Sequence, residues 1–146
     1  MAGNEDLKAA AKPRIQQVRL TTRITLTFLL VQFLLGMWTN LFVSFPAPDG
    51  NPFEQIFSNG LYVLAAHLIL GIALFGTGLA VLALAALARV RSVVMSGAAG
   101  LASIIIAGVS GLVFVLSGFQ ADPYSYLMSV GFISAFAVYF SLLLQT

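Results

Sequence analysis

Four long runs without a charged residue divide the chain, at 24–45, 61–87, 93–119 and 124–144. Each is long enough to carry a helix across hydrocarbon, which takes about 20 residues. The runs lack the period-two alternation of barrel strands. They mix small and β-branched residues, as helices packed against one another in lipid do. The pattern predicts an all-α, polytopic fold: an antiparallel bundle of four transmembrane helices. Arg89-Val90-Arg91-Ser92 reads as a tight turn, and Pro123 in Gln120-Ala121-Asp122-Pro123 is suited to open the last helix. The segment 46–60 holds three prolines and two glycines and reads as an irregular loop, with Phe53, Ile56 and Phe57 expected on the membrane surface.

Composition supports lipid as the solvent. The chain is 60% hydrophobic and 8% charged, with a mean hydropathy of +0.99, where soluble domains carry about 25% charged residues. At 146 residues it has room for one domain, too small to hide that much apolar surface from water. There are no cysteines, which excludes disulfides, thiolate nucleophiles and cysteine-ligated metals.

Charge sets an expected direction. Lys8, Lys12, Arg14, Arg19 and Arg23 precede the first run, and Arg89 and Arg91 lie between the second and third. These are all seven basic residues, and a four-span path puts them on one side. The other two connections carry Asp49, Glu54 and Asp122. The positive-inside rule then gives N-in, C-in in a cell membrane, with Trp38, Tyr62, Tyr124 and Tyr126 near the outer interface. The first run exceeds the 7–15-residue core of a cleaved signal, so a retained span is expected. The chain thus divides into a basic cytoplasmic segment, 1–20, and a transmembrane domain, 21–146. Residues 1–12 are expected to lack fixed structure, and Ile15, Val18 and Thr22 to line one face of a helix entering the first span. The basic residues form no aromatic-and-basic platform, so no nucleic-acid partner is expected. The expected partners are the bilayer and other membrane subunits, or a second copy.

The informative residues are the few polar ones within the runs, because a polar group in hydrocarbon asks for a partner. Counting depth at 1.5 Å per residue collects Trp38, Asn40, His67, Ser110, Met128 and Ser129 into one outer-leaflet layer. A structural hydrogen bond from His67, the single histidine, to Asn40 or a serine is the favoured reading. The alternatives are an axial haem ligand, with Met128 or the same histidine of a second copy opposite, and a proton relay. Gln32 lies nearer mid-membrane, level with Thr77 and near Ser103 and Ser134, so a Gln–Thr or Gln–Ser bond is expected; a quinone or substrate contact is the other role open to it. Ser103, Ser110 and Ser117 recur at heptad spacing. Small residues at four-residue spacing (Ala99, Ser103, Ala107 and Gly111; Gly76 and Ala80; Gly131 and Ala135) suit close helix approach.

Gln32-Phe33-Leu34-Leu35-Gly36 in the first run, followed by a loop and then His67 early in the second, resembles one four-helix half of the haem A synthase-type membrane proteins. In that family a histidine early in the second helix pairs with another early in the fourth, and the pair binds haem. The resemblance implies a b-type haem ligated by His67. In the fourth run, Tyr124-Ser125-Tyr126-Leu127-Met128-Ser129, the corresponding ligand is Met128 rather than a histidine. Leu64 stands where the family carries an acid one turn before its histidine.

Enzymatic readings find little to rest on. No acid within a span could orient His67 in a Ser-His-Asp set, no carboxylate pair is present, and no glycine-rich phosphate loop precedes a lysine. A transporter would normally carry an intramembrane charge or broken helices. The sequence therefore favours a non-catalytic accessory or structural subunit of a membrane complex, for instance a respiratory one. The alternative is a b-type haem protein with an electron-transfer or haem-related role.

Overall fold

The computed structural model describes residues 2–44, 51, 54, 56–57 and 62–146, with side chains from residue 12 onward. Four helices follow one another: α1 (Ala2–Phe42), α2 (Tyr62–Ala88), α3 (Arg91–Leu116) and α4 (Asp122–Gln145). All four are long and apolar enough to cross a membrane, α1 over Lys12–Phe42. The chain is an integral membrane protein built as a four-helix bundle. Each helix packs on its neighbours in chain order, and α1 against α4 closes the ring. The start of α1 and the end of α4 lie at the end of the α2–α3 turn, called here the basic end; His67 lies toward the other.

α1 is helical from Ala2, where the sequence predicts no fixed structure for 1–12. Ala2, Glu5, Leu7, Lys8 and Ala9 to Ala11 are good helix formers, and elongating an existing helix avoids the cost of nucleation. Val18 and Thr22 are fully buried and Ile15 packs against the core that holds Val18, so the three share one face of the helix as expected, and that face is turned inward.

The inward faces of α1 and α2 have a regular period. On α1 the inward positions are Val18, Thr22, Thr25, Leu29, Gln32, Gly36 and Thr39, and on α2 Leu64, His67, Gly71, Leu74, Gly78, Val81, Ala85 and Ala88. Steps of three and four alternate throughout, a mean of about 3.5 residues, which holds a seam on one face of two helices that coil left-handedly.

Glycines decide where the bundle is tightest. A Cβ on Gly100 of α3 would lie 2.6–2.9 Å from ring carbons of Tyr139, the fully buried tyrosine of α4. One on Gly131 of α4 would lie 2.8 Å from the Ala107 amide nitrogen and 3.0 Å from the Ser103 carbonyl oxygen. Gly78 of α2 stands 3.1 Å from the Tyr139 hydroxyl by the same measure. Tyr139 therefore lies in a slot between Gly78 and Gly100, with Val81, Ile104, Ala135 and Leu142 in the same core. Of the small-residue pairs read from sequence, Gly131 and Ala135 are in this seam, whereas Gly76 and Ala80 face outward.

The helix ends also depart from the hydrophobic runs. α3 stops at Leu116, although its apolar run continues to Phe119. The Phe119 amide donates to the Phe114 carbonyl and the Gly118 amide to the Val115 carbonyl. Gly118 has φ 67°, and Phe119 meets Phe114 edge-on at 5.8 Å. This is a Schellman closure with its usual apolar contact. Pro123 lies in the first turn of α4, as expected, beside Asp122, whose charge suits a helix N-terminus. Ile56 is 1% exposed and packs with Leu64, Ala65, Val115 and Phe119; it plugs the histidine end instead of lying on the membrane surface. Phe57 is exposed, and Phe53 lies outside the described residues.

Overpacking a tight seam costs about 1–3 kcal/mol. Gly100→Ala and Gly131→Ala should each destabilise the bundle by about that much in detergent unfolding. Gly76→Ala and Gly108→Ala, with nothing within 4 Å of the added carbon, should not.

Candidate functional site

α1 and α2 each bring one polar side chain and one glycine to the same place, four residues apart. Gln32 Nε2 and His67 Nε2 are hydrogen-bonded at 3.0 Å; with the amide in this orientation it donates, and the ring proton is on Nδ1. Gly36, one turn from Gln32, lies against the imidazole: its missing Cβ would be 3.1 Å from His67 Cε1 and 3.6 Å from Nδ1. Gly71, one turn from His67, lies against the amide, its Cβ position 3.6 Å from Gln32 Nε2. Each helix thus clears room for the polar group of the other. A methyl group at Gly36 would press on the imidazole, whereas one at Gly71 would make ordinary van der Waals contact with the amide.

The other polar atom of each side chain has no partner. Gln32 Oε1 and His67 Nδ1 are both buried without a hydrogen bond. Such an unmet group costs about 1–3 kcal/mol, while one interhelical hydrogen bond in a membrane protein contributes about 0.6 kcal/mol on average. The pair is therefore an expensive way to join two helices.

This pairing differs from the one expected by depth. Asn40 was expected level with His67, and Gln32 level with Thr77. His67 lies five residues into α2 and Gln32 ten residues before the end of α1, so α1 overshoots α2 by about five residues, roughly 7–8 Å. Asn40 on that overhang is exposed, as is Trp38, which rests on Phe42 at 5.0 Å. Thr77 donates to the Leu74 carbonyl of its own helix, and Ser103 donates to Ala99 in the same way. Ser110 is buried in α3. Ser129 and Ser134 are exposed on α4, Ser129 donating to the Ser125 carbonyl, and Ser117 donates to Phe114 at the end of α3. Met128 is half-buried, its sulfur 3.0 Å from the Cβ position of Gly111, in the α3–α4 seam.

Of a second polar level, the sequence pattern singles out only Thr22. Thr22 Oγ1 and Tyr139 OH are buried without a partner, and Thr25 donates to the Thr21 carbonyl. The alternating steps from Val18 to Gln32 carry the signal for the threonines. Nothing local marks Tyr139, because its slot is made by Gly78 and Gly100 of other helices. Leu29 and Leu74, both buried, lie on the seam between the two levels.

Among the described residues no three histidine, aspartate or glutamate side chains come together as a metal site would require. No protein-family model matches this chain, and neither a curated protein nor a solved structure does.

Removing one member of the Gln32–His67 pair should cost about 0.6–1.7 kcal/mol. Gln32→Leu and His67→Phe should each destabilise, and the double variant should cost less than their sum, as a double-mutant cycle of detergent unfolding would record. Asn40→Ala should have no effect.

Proposed function

We propose that this protein is a non-catalytic accessory subunit that joins other chains in the membrane, oriented with its basic end cytoplasmic. The observation that carries the reading is where the small residues point. The inward glycines meet neighbouring helices, whereas Gly76 on α2 and Gly108 on α3 have no atom within 4 Å of a Cβ position. A glycine on an outward helix face lets another helix approach closely, and close packing is what drives association in lipid. The surroundings are apolar: Ile72, Phe75 and Leu79 near Gly76, and Ile105, Val109 and Leu112 near Gly108. The intramembrane polar groups also suit this reading, since most bond to each other or to their own helix.

Haem ligation by His67 fits the folded side chains poorly. Nε2 is bonded to Gln32, and the ring edge lies against Gly36, so coordination there would require Gln32 to withdraw and the two helices to part. Met128, the residue proposed opposite, sits against Gly111 in a different seam.

Gentle purification from the native membrane followed by native mass spectrometry tests the reading. The wild type should leave the membrane with other chains attached. Gly76→Ile and Gly108→Ile should release them while the helical content and unfolding midpoint stay unchanged. A solitary monomer would overturn the proposal. A Soret band that vanishes in His67→Ala would establish the haem reading instead.

A further inference from the structure

We infer that Arg23 is the contact for a second, different membrane chain, one whose spanning helix places an Asp or Glu beside it. The inference rests on the accessory reading and names the chemistry of the partner. It starts from where α1 sits against α2. Gln32 lies against Gly71, and Gly36 against His67, while Gln32 and His67 are themselves bonded. Counting nine residues back along α1 from Gln32, and as many forward along the antiparallel α2 from His67 or Gly71, sets Arg23 level with Gly76 to Ala80. That is eight to twelve residues inside the end of α2 at Ala88, about 12–18 Å. Val18, five residues nearer the basic end than Arg23, is fully buried in the core with Val81, Ala85 and Val93, so the bundle continues well past Arg23. The stretch of α2 from Leu79 to Ala88 has no polar side chain, and lipid must cover it.

From that depth the guanidinium does not reach the membrane surface. α2 has 27 residues, about 40 Å of helix, against about 30 Å of hydrocarbon, so about 5 Å of it projects at each end. Arg23 then lies about 7–13 Å below the hydrocarbon boundary. A helical side chain covers the turn N-terminal to its own Cα, here toward the basic end, which recovers about 5.4 Å. Arg19, one turn nearer that end, comes level with the headgroups by this means, and Arg23 stays in hydrocarbon. An unpaired charge there is costly, and a carboxylate meets it best, accepting two parallel hydrogen bonds from the guanidinium fork. The chain itself offers none. Arg23 is exposed on the outward face of α1, with Leu20, Leu30 and Leu34. Glu5 and Asp6 lie about 25 Å back along the same helix. Asp49 and Glu54 belong to the connection after α1, and Asp122 opens α4 at the histidine end. Thr27, one turn on, donates its hydroxyl to the Arg23 backbone carbonyl. A second copy would bring the same arginine and no acid within a span, so the partner is a different chain.

The test uses the full-length protein in its native membrane, with a photo-crosslinking amino acid in place of Leu20 or of Thr27, exposed positions on either side of Arg23. Illumination and peptide sequencing of the product should identify a spanning segment of another chain that contains Asp or Glu. Arg23→Leu should lower the crosslinked fraction by about tenfold or more, as loss of a charge-assisted hydrogen bond does, and Arg23→Lys should retain most of it. Arg23→Leu takes a charge out of lipid, so its unfolding midpoint should not fall, which separates loss of contact from loss of fold. Exchanging the charges, with Arg23→Glu here and an acid-to-arginine change on the partner, should restore the product. Crosslinks to lipid alone, while other chains remain attached in the native mass spectrum, would overturn the inference and leave the accessory role standing; a solitary monomer would remove both. A crosslinked span without an acid, a link to a second copy, or an Arg23→Leu fraction equal to that of the wild type would also overturn it.

Discussion

Lipid tails are as apolar as leucine, so the helices of this bundle gain nothing by hiding apolar surface from their solvent. They hold together only where they approach closely enough for dispersion and a few hydrogen bonds to exceed the same contacts with lipid. The rest of the structure depends on this constraint. It explains why the close contacts centre on glycines: Gly78 and Gly100 around Tyr139, Gly131 on the Ala107 backbone, and Gly97 against Leu82. At Gly100 and Gly131 the missing side chain lets a partner atom come nearer than a methyl group would allow.

The same constraint shapes the polar interior. A hydrogen-bonding group in hydrocarbon either returns to its own backbone or finds a neighbour. Thr25, Thr39, Thr77, Ser103 and Ser129 take the first course. Such bonds are local and require nothing of the fold. Gln32 and His67 take the second, and the glycine four residues from each makes room for the other. What distinguishes this pair is that the bond leaves each side chain half satisfied.

The distribution of glycines separates the two kinds of surface. Those directed inward are filled by Tyr139, Leu82, Ala107, Met128 or the Gln32–His67 pair. Gly76 and Gly108 are directed outward and meet nothing. Within one chain these outward glycines only forgo packing area, and the accessory reading rests on that contrast.

By itself, the sequence determined the number of spans, the antiparallel path and the Arg89–Arg91 turn, because uncharged length and the basic pair act locally along the chain. The alternating three and four steps of α1 are also legible from Val18 to Gln32, although the charge-free run begins only at residue 24. Tertiary structure decided what pairs with what. Counting depth from the ends of apolar runs assumes that neighbouring helices start level, and α1 overshoots α2 by more than a turn, which exchanged Asn40 for Gln32 as the partner of His67. The end of α3 was decided by a left-handed Gly118 rather than by where the apolar residues stop. Tyr139 became the centre of the core because glycines on two other helices opened a slot for its ring. Helix offset and interhelical fit are relations between segments distant in sequence, and no pattern within a single span encodes them.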